Sequence, residues 1–132
     1  MNPYYLVLRS ASLLGGTAVI ILALAAHSLK NILTESLIES ISTAAEIQLF
    51  HAVALIALSM MTPHSEKGII RICRMMTIGV IIFSGSIYLL AFKLILGLPW
   101  LKYLGPITPI GGICMIASWF MLFNLTLQKK AS

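Results

Sequence analysis

The stretch Thr43-Ala-Ala-Glu46-Ile-Gln48-Leu-Phe-His51 places a dense group of polar side chains at the start of an apolar run that continues to Met61. If this run crosses a bilayer, Gln48 and His51 lie where water is scarce. A polar side chain in that environment must find a hydrogen-bond partner within the protein. We therefore expect the rest of the chain to form the helices that supply those partners.

The composition is typical of an integral membrane protein. Hydrophobic residues make up 59% of the 132 residues and charged residues only 10%, whereas a soluble domain carries about 25% charged residues. The net charge is +5, but the basic residues cluster at the ends of apolar runs and lack the interleaved aromatic residues of a nucleic-acid surface. We expect no nucleic-acid partner. The expected partner is the lipid bilayer, with anionic headgroups next to the basic residues.

Four segments are long and apolar enough to cross the roughly 30 Å hydrocarbon core of a bilayer as helices. The polar alternation at every second residue that marks membrane strands does not occur. The chain is therefore predicted to be an all-α integral membrane protein, a single membrane domain of residues 1–132 that forms an antiparallel bundle of four transmembrane helices. The predicted helices cover about residues 5–26, 44–61, 75–96 and 107–127.

The placement of Lys and Arg predicts the orientation of the bundle. Six basic residues flank the helix ends on the side of both termini, and three flank the opposite ends. Because segments rich in Lys and Arg remain in the cytoplasm, both termini are expected to be cytoplasmic. The stripe of Lys67, Arg71 and Arg74 before the third helix is predicted to extend that helix and to contact anionic headgroups.

Two of the predicted helices carry a face suited to close packing. Small residues on such a face let another membrane helix approach closely. The predicted face of the first helix consists of Ser12, Gly16, Val19, Ala23 and Ala26. The predicted face of the fourth helix consists of Thr108, Gly111, Met115, Ser118, Leu122 and Leu125.

The connection between the first two helices has helical patterning. Apolar and polar residues alternate at helical spacing across residues 31–42, which predicts a short amphipathic helix at the outer membrane interface. Thr43-x-x-Glu46 then matches a capping box, so Thr43 and Glu46 are predicted to cap the second helix. For Lys93, near the outer end of the third helix, two alternatives stay open: snorkelling toward the headgroups or pairing with Glu46.

With both termini in the cytoplasm, most polar side chains of the apolar segments fall toward the outer surface. The residues expected in the outer half or at its edge are His27, Glu46, Gln48, Lys93 and Thr108, while His51 and Tyr88 fall near the middle. Two interpretations of Gln48 and His51 stay open: a satisfied network that locks the helices together, or a site for a proton, a metal or another ligand. The histidine spacing matches no metal motif, and no catalytic triad, phosphate loop or flavin fingerprint is present. We therefore predict no metal, no cofactor and no catalytic residue.

Four motifs, in their order and spacing, resemble those of one known family. They are Ala25-Ala-His27-Ser-Leu-Lys30, Thr43-Ala-Ala-Glu46-Ile-Gln48-Leu-Phe-His51-Ala, Phe83-Ser-Gly-Ser-Ile-Tyr88-Leu-Leu-Ala and Gly105-Pro-Ile-Thr108-Pro-Ile-Gly111-Gly112. Together they resemble the YgdD-like family of small bacterial inner-membrane proteins (domain of unknown function 423), which is related to eukaryotic transmembrane protein 256. The chain departs from the family pattern at Ile47, where an aromatic residue is usual, and at Ala25, where a glycine is usual.

The resemblance covers nearly the whole chain. It implies an inner-membrane protein with several crossings and no established activity. It also draws attention to the polar residues at the motif positions, most of which the polar patterning singles out independently. The candidate residues of a polar pocket or network are His27, Gln48, His51, Ser84, Tyr88 and Thr108.

The leading functional hypothesis is a non-enzymatic accessory or scaffold subunit of a membrane assembly, with other membrane proteins or further copies of the chain as partners. It rests on the near absence of soluble mass, the lack of a catalytic motif and the helix faces available for packing. One alternative is a small proton-coupled or cation transporter or channel-like protein in which His51 titrates near neutral pH. Another is a metal- or cofactor-holding membrane protein that uses His27 and His51.

Overall fold

The computed structural model describes residues 3–61, 67–93 and 95–130, and every regular element in those segments is helical. Four α-helices follow one another in antiparallel order, each long and apolar enough to cross a bilayer. This confirms the predicted all-α bundle of four helices. The elements are α1 (Pro3–Ala26), α2 (Glu35–Met61), α3 (Lys67–Phe92) and α4 (Ile107–Lys130), with short 3-10 helices at Leu29–Asn31 and Pro99–Leu104.

The predicted amphipathic segment is helical, but it is not a separate helix. No glycine or proline interrupts residues 32–61, and most of the segment forms the first two turns of α2. Ile41 is fully buried in a cluster with Ala25, Leu29 and Ala91. Burial of this apolar cluster holds the first turns of α2 against α1 and α3 instead of leaving them on the membrane surface.

Thr43 and Glu46 lie inside α2, so the predicted capping box does not form. A cap would require Thr43 to stand just outside the first helical turn, but α2 begins at Glu35. The backbone amides near Thr43 are therefore paired with carbonyl groups of the preceding turn. Both side chains are instead exposed on the outer face of α2.

α3 begins at Lys67 rather than at residue 75 and ends at Phe92 rather than at residue 96. The predicted helix extension is thus confirmed, and its basic residues Lys67, Arg71 and Arg74 are exposed. Gly97 has a φ of 64°, a left-handed conformation that glycine adopts without strain, and this turns the chain into the second 3-10 helix. Residue 94 of the predicted third helix lies outside the described residues.

α4 packs along α3 at a separation that only glycine permits. A Cβ on Gly111 would come within 2.5 Å of the backbone nitrogen of Phe83, and one on Gly79 within 3.0 Å of the Met115 side chain. Gly111, Met115 and Ser118 are buried, which confirms the predicted face of the fourth helix. Within the described segments the backbone of α4 approaches no other α-helix. α2 and α3 therefore form the centre of the bundle, with α1 and α4 on its flanks.

α1 turns a different face toward the bundle from the one predicted. The predicted stripe lies one residue further along the chain, which rotates it by about 100°, and every one of its residues is exposed. The observed face is also built mainly from small residues, and it brings Leu14 and Thr17 to Gln48 on α2. Satisfying that buried amide favours the observed rotation. The buried residues of α1 are Val7, Ala11, Ala18 and Ala25.

Candidate functional site

Gln48 is the centre of a polar network that joins three helices. Its side chain is only 4% exposed. Its Nε2 donates to the Leu14 carbonyl and to the Thr17 hydroxyl of α1, both at 2.8 Å. Its Oε1 accepts a hydrogen bond from the Tyr88 hydroxyl of α3 at 2.9 Å. These four residues are called the Gln48 network below.

Every polar group of the Gln48 side chain is satisfied inside the protein. Both amide hydrogens and the carbonyl oxygen have partners. The Thr17 hydroxyl, which accepts from Gln48, donates its own hydrogen bond to the Leu13 carbonyl at 2.8 Å. A buried network in which each member is bonded holds its helices in one arrangement. The geometry is that of an interhelical lock with no amide hydrogen left for a ligand.

His51 links α2 to α4. Its Nδ1 lies 2.7 Å from the Ile47 carbonyl one turn earlier, which fixes the hydrogen on Nδ1 because a carbonyl can only accept. Its Nε2 then accepts the indole N–H of Trp119 at 3.2 Å, and the two rings meet edge to face with centroids 6.1 Å apart. Both ring nitrogens are therefore used by the protein itself.

Two further hydroxyl contacts connect the sequence motifs. Ser84 donates to the Ala44 carbonyl of α2 at 3.0 Å, and the hydroxyls of Ser86 and Thr108 lie 2.6 Å apart between α3 and α4. The close approach at Gly111 brings α3 and α4 near enough for the second contact. The Phe-Ser-Gly-Ser-x-Tyr motif thus contacts α2 on one side and α4 on the other.

Of the six candidate residues, His27 alone stands apart from these contacts. It lies just past the end of α1 with an exposed side chain, and its backbone amide bonds the Leu24 carbonyl at 3.3 Å. The other five residues take part in the interhelical hydrogen bonds. Among the described residues, no three His, Cys, Asp or Glu side chains lie close enough together to hold a metal ion.

Glu46 lies near the middle of the bundle's long axis. The Ser84–Ala44 hydrogen bond shows that these two residues lie at the same height in the bundle. Ser84 in turn lies between two charged residues, ten residues after Arg74 and nine before Lys93. At 1.5 Å per residue, each of these charged residues is about 14–15 Å away along α3. Glu46 follows Ala44 by two residues, so its backbone lies within about 3 Å of the midpoint. Its side chain nevertheless points out of the bundle.

Neither Thr43 nor Glu46 has a side-chain partner in the part of the chain that the structure describes. Most helical serines and threonines here donate to a carbonyl three or four residues earlier, but the exposed hydroxyl of Thr43 does not. Glu46 forms no ion pair with Lys93, which lies at the far end of α3. Of the two alternatives for Lys93, pairing with Glu46 is therefore wrong.

Three side chains of the site were not predicted from the sequence: Thr17, Ser86 and Trp119. Trp119 carried a usable signal, because the indole N–H of a tryptophan in an apolar segment needs an acceptor and His51 is one of few available. Ser86 lies two residues from Ser84 on a motif that faces two neighbours. No comparable indication is present in the sequence for Thr17, because the hydroxyl of a lone helical threonine can donate to a carbonyl of its own helix.

Comparisons with known proteins agree on a family. The family profile described as "Protein of unknown function (DUF423)" matches residues 21–112. These residues include every member of the site on α2 and α3 as well as Thr108. Leu14, Thr17 and Trp119 lie beyond the match.

The relatives are named as membrane proteins. A UPF0382 membrane protein of Haemophilus influenzae is 34% identical over 99% of both chains. A UPF0382 membrane protein of Schizosaccharomyces pombe is 37% identical over 83% of this chain and 91% of its own. The UPF0382 membrane protein YwdK of Bacillus subtilis is 30% identical over 76% of this chain and 78% of its own. No solved structure matches the chain.

Proposed function

The chain belongs to the DUF423 family of membrane proteins of unknown function, and we propose that it is a non-enzymatic accessory or scaffold subunit that docks onto another membrane protein through α2. The observation that carries the proposal is the exposed carboxyl group of Glu46, halfway along a membrane-spanning bundle. In the described segments the buried polar side chains have hydrogen-bond partners, whereas this carboxyl group is exposed.

An acidic side chain at mid-bilayer is costly when it faces lipid. Insertion scales put the cost of a charged residue at a helix centre at about 2.5–3.5 kcal/mol, and such residues normally pair with another polar group. Glu46 has no partner in the described part of its own chain. A hydrogen-bond donor on a neighbouring subunit would remove this cost, and the unpaired Thr43 hydroxyl one turn away would share the contact.

The surface around Glu46 has the shape of a helix-packing face. Exposed residues recur along α2 at spacings of three and four, which places them on one side of the helix. The polar positions lie toward its N-terminal end and the apolar ones toward its C-terminal end, with Phe50 and Met60 each 73% exposed. The exposed residues are Glu39, Thr43, Glu46, Phe50, Val53, Ala57 and Met60.

The interior supports a structural role better than a transport role. Gln48 has no free amide hydrogen, and both ring nitrogens of His51 are engaged. The transporter alternative needs His51 to exchange protons with a path. The metal-holding alternative needs His27 beside His51, but His27 is exposed beyond the end of α1. Neither alternative gains support from this geometry.

A plasma-membrane location with both termini in the cytoplasm is part of the proposal. The start of α1 and the end of α4 lie on the same side of an antiparallel bundle. Lys67, Arg71 and Arg74 are exposed on that side at the start of α3, where anionic headgroups of a cytoplasmic leaflet would attract them. The bacterial relatives are named as membrane proteins, which supports a membrane location.

Photo-crosslinking in intact membranes tests the proposal. A photoreactive amino acid at Val53, on the exposed face of α2, is expected to give one adduct of reproducible mass. The same amino acid at Leu13, which is exposed on α1, is the matched control and should give none. Glu46→Gln in the Val53 background should lower the adduct yield about fivefold or more, because a paired charge is lost.

The mass of the adduct separates the two kinds of partner. An adduct of twice the chain mass identifies a homo-oligomer, and any other single mass identifies a different subunit, which peptide mass spectrometry then names. A chain that is strictly monomeric in mild detergent and gives no adduct at Val53 would refute the proposal.

A further inference from the structure

Two open grooves flank the first turns of α2, and Glu39 lines both of them. The first groove, of about 460 Å³, lies between α2 and α3 and has two unlike walls. The α2 wall presents hydroxyl groups, including those of Ser40 and Thr43, beside the carboxylate of Glu39. The α3 wall is apolar and includes Ile87 and Leu90. A ligand that fits this groove must be amphipathic.

The second groove carries charges of both signs. It has a volume of about 580 Å³, and Lys30, Glu35 and Glu39 lie along it with apolar residues between them. All three charged side chains are exposed. Within the described segments they form no ion pair with one another. One cation and two carboxylates are thus held on one surface without neutralising each other.

The grooves run along α2 from the hydrocarbon core toward the level of the lipid headgroups. Glu46 lies near the middle of the bundle, and Glu39 and Glu35 precede it on α2 by seven and eleven residues. At 1.5 Å per residue they lie about 10 Å and about 16 Å from its level. α2 has 27 residues, or about 40 Å at 1.5 Å per residue. It therefore exceeds the roughly 30 Å hydrocarbon core, and its first turns reach the interface.

We propose that the two grooves together bind one glycerophospholipid whose headgroup contains both a phosphate and a primary ammonium, such as phosphatidylethanolamine. Lys30 attracts the phosphate, and Glu35 and Glu39 accept hydrogen bonds from the ammonium. One acyl chain lies in the first groove against Ile87 and Leu90. The charge pattern, one cation beside two carboxylates, complements a zwitterionic headgroup.

The same pattern argues against the other common headgroups. An anionic headgroup without an amine would place its negative charge beside two carboxylates with a single lysine to offset them. A choline headgroup carries the same phosphate and positive charge, but its quaternary nitrogen has no hydrogen to donate. The free headgroup without acyl chains would leave the apolar wall of the first groove uncovered.

Native mass spectrometry of the full-length protein in detergent tests the proposal. Phosphatidylethanolamine, phosphatidylcholine and phosphatidylglycerol with identical acyl chains are offered in equal amounts. We expect the protein to retain phosphatidylethanolamine about three- to fivefold more than the other two, the range of a partly exposed ion pair. Glu39→Gln should lower retention of phosphatidylethanolamine toward that of phosphatidylcholine, while Glu35 keeps part of the preference. Lys30→Gln should weaken retention of both, because both contain the phosphate.

The chain offers matched controls for each charge. Glu46→Gln removes a carboxylate that lies outside both grooves, and Lys102→Gln removes a lysine that lines a different pocket. Both variants are expected to retain phosphatidylethanolamine as the unchanged chain does. Equal retention of the three lipids, a preference for phosphatidylglycerol, or an unchanged preference in Glu39→Gln would each overturn the proposal.

Discussion

Trp119 donates its indole N–H to Nε2 of His51 at 3.2 Å and so joins α4 to α2, two helices whose backbones do not approach each other in the described segments. The bond depends on the hydrogen of His51 lying on Nδ1, where the Ile47 carbonyl holds it. A positively charged His51 would carry a hydrogen on both nitrogens and could not accept from Trp119. The hydrogen bond between α4 and α2 therefore requires a free lone pair on Nε2 of His51.

Loss of this bond is expected to change the surroundings of the Trp119 indole while leaving the fold intact. His51→Ala removes the acceptor, but α4 remains packed on α3 through Gly111 and Gly79. In a Trp100→Phe background, which leaves one tryptophan, the fluorescence emission of Trp119 should shift to the blue as the indole loses its polar partner. The stability loss should be small, about 0.6 kcal/mol for the hydrogen bond. An unchanged spectrum would contradict the contact.

Removal of the Gln48 amide is expected to destabilise the protein because the Tyr88 hydroxyl loses its acceptor. Gln48→Leu keeps most of the side-chain volume but leaves the Tyr88 hydroxyl without its partner. An unsatisfied polar group that is fully buried costs about 1–3 kcal/mol. Because Tyr88 is only half-buried, the free energy of unfolding in mixed micelles should fall by about 1 kcal/mol, the lower end of that range. Thr17 should contribute little to the loss, because its hydroxyl still bonds the Leu13 carbonyl.

A second substitution distinguishes this cause from lost packing. Gln48→Leu combined with Tyr88→Phe removes both ends of the hydrogen bond and should be more stable than Gln48→Leu alone. The interaction energy from the double-mutant cycle should exceed about 0.5 kcal/mol. Strictly additive effects would show that Gln48 and Tyr88 do not act as a pair.

The architecture was predictable because it depends on the amount and spacing of apolar residues. Long runs with few charges predict crossing helices whatever their neighbours are. The packing face of α4 could also be predicted, because Gly111 and Ser118 place small residues on one side of that helix. α1 was misread, because two small-residue faces lie about 100° apart and only the position of Gln48 on α2 selects between them.

The start of α2 was misplaced because the capping signal was local and the deciding contact was not. Thr43-x-x-Glu46 has the correct spacing for a cap, but the burial of Ile41 against Ala91 extends the helix past it. The position of Glu46 well inside α2, rather than in its first turn, follows from that extension. With a cap at Thr43, Glu46 would sit at the membrane edge. With α2 starting at Glu35, Glu46 lies eleven residues after the first residue of the helix and near the middle of the bundle's long axis.

Gly111→Ala is expected to be among the most damaging single substitutions on α4. The added Cβ would come within 2.5 Å of the Phe83 nitrogen and 2.7 Å of the Gly79 carbonyl oxygen, and backbone atoms cannot move aside without separating the helices. Overpacking of this kind costs about 1–3 kcal/mol or more. Gly112→Ala is the matched control, because its nearest contact is the Phe83 ring at 3.8 Å. Thermal unfolding in detergent should show a large loss for the first and a small one for the second, and equal losses would contradict the close approach.

Glu46 should react with a hydrophobic carbodiimide when the protein is alone in lipid but not in its native membrane. Such reagents partition into the bilayer and convert a protonated carboxylic acid, through an O-acylisourea, into a stable N-acylurea. In vesicles of pure phospholipid the exposed Glu46 side chain is accessible, whereas a docked partner in the native membrane would cover it. Peptide mass spectrometry should find the adduct at Glu46 in the vesicles and at least about fivefold less of it in the native membrane, a difference of about 1 kcal/mol. Glu46→Gln provides the blank. Equally strong labelling in both membranes would mean that nothing covers this face of α2, and the docking proposal would fail. Equally weak labelling in both would mean that a second copy of the chain covers it.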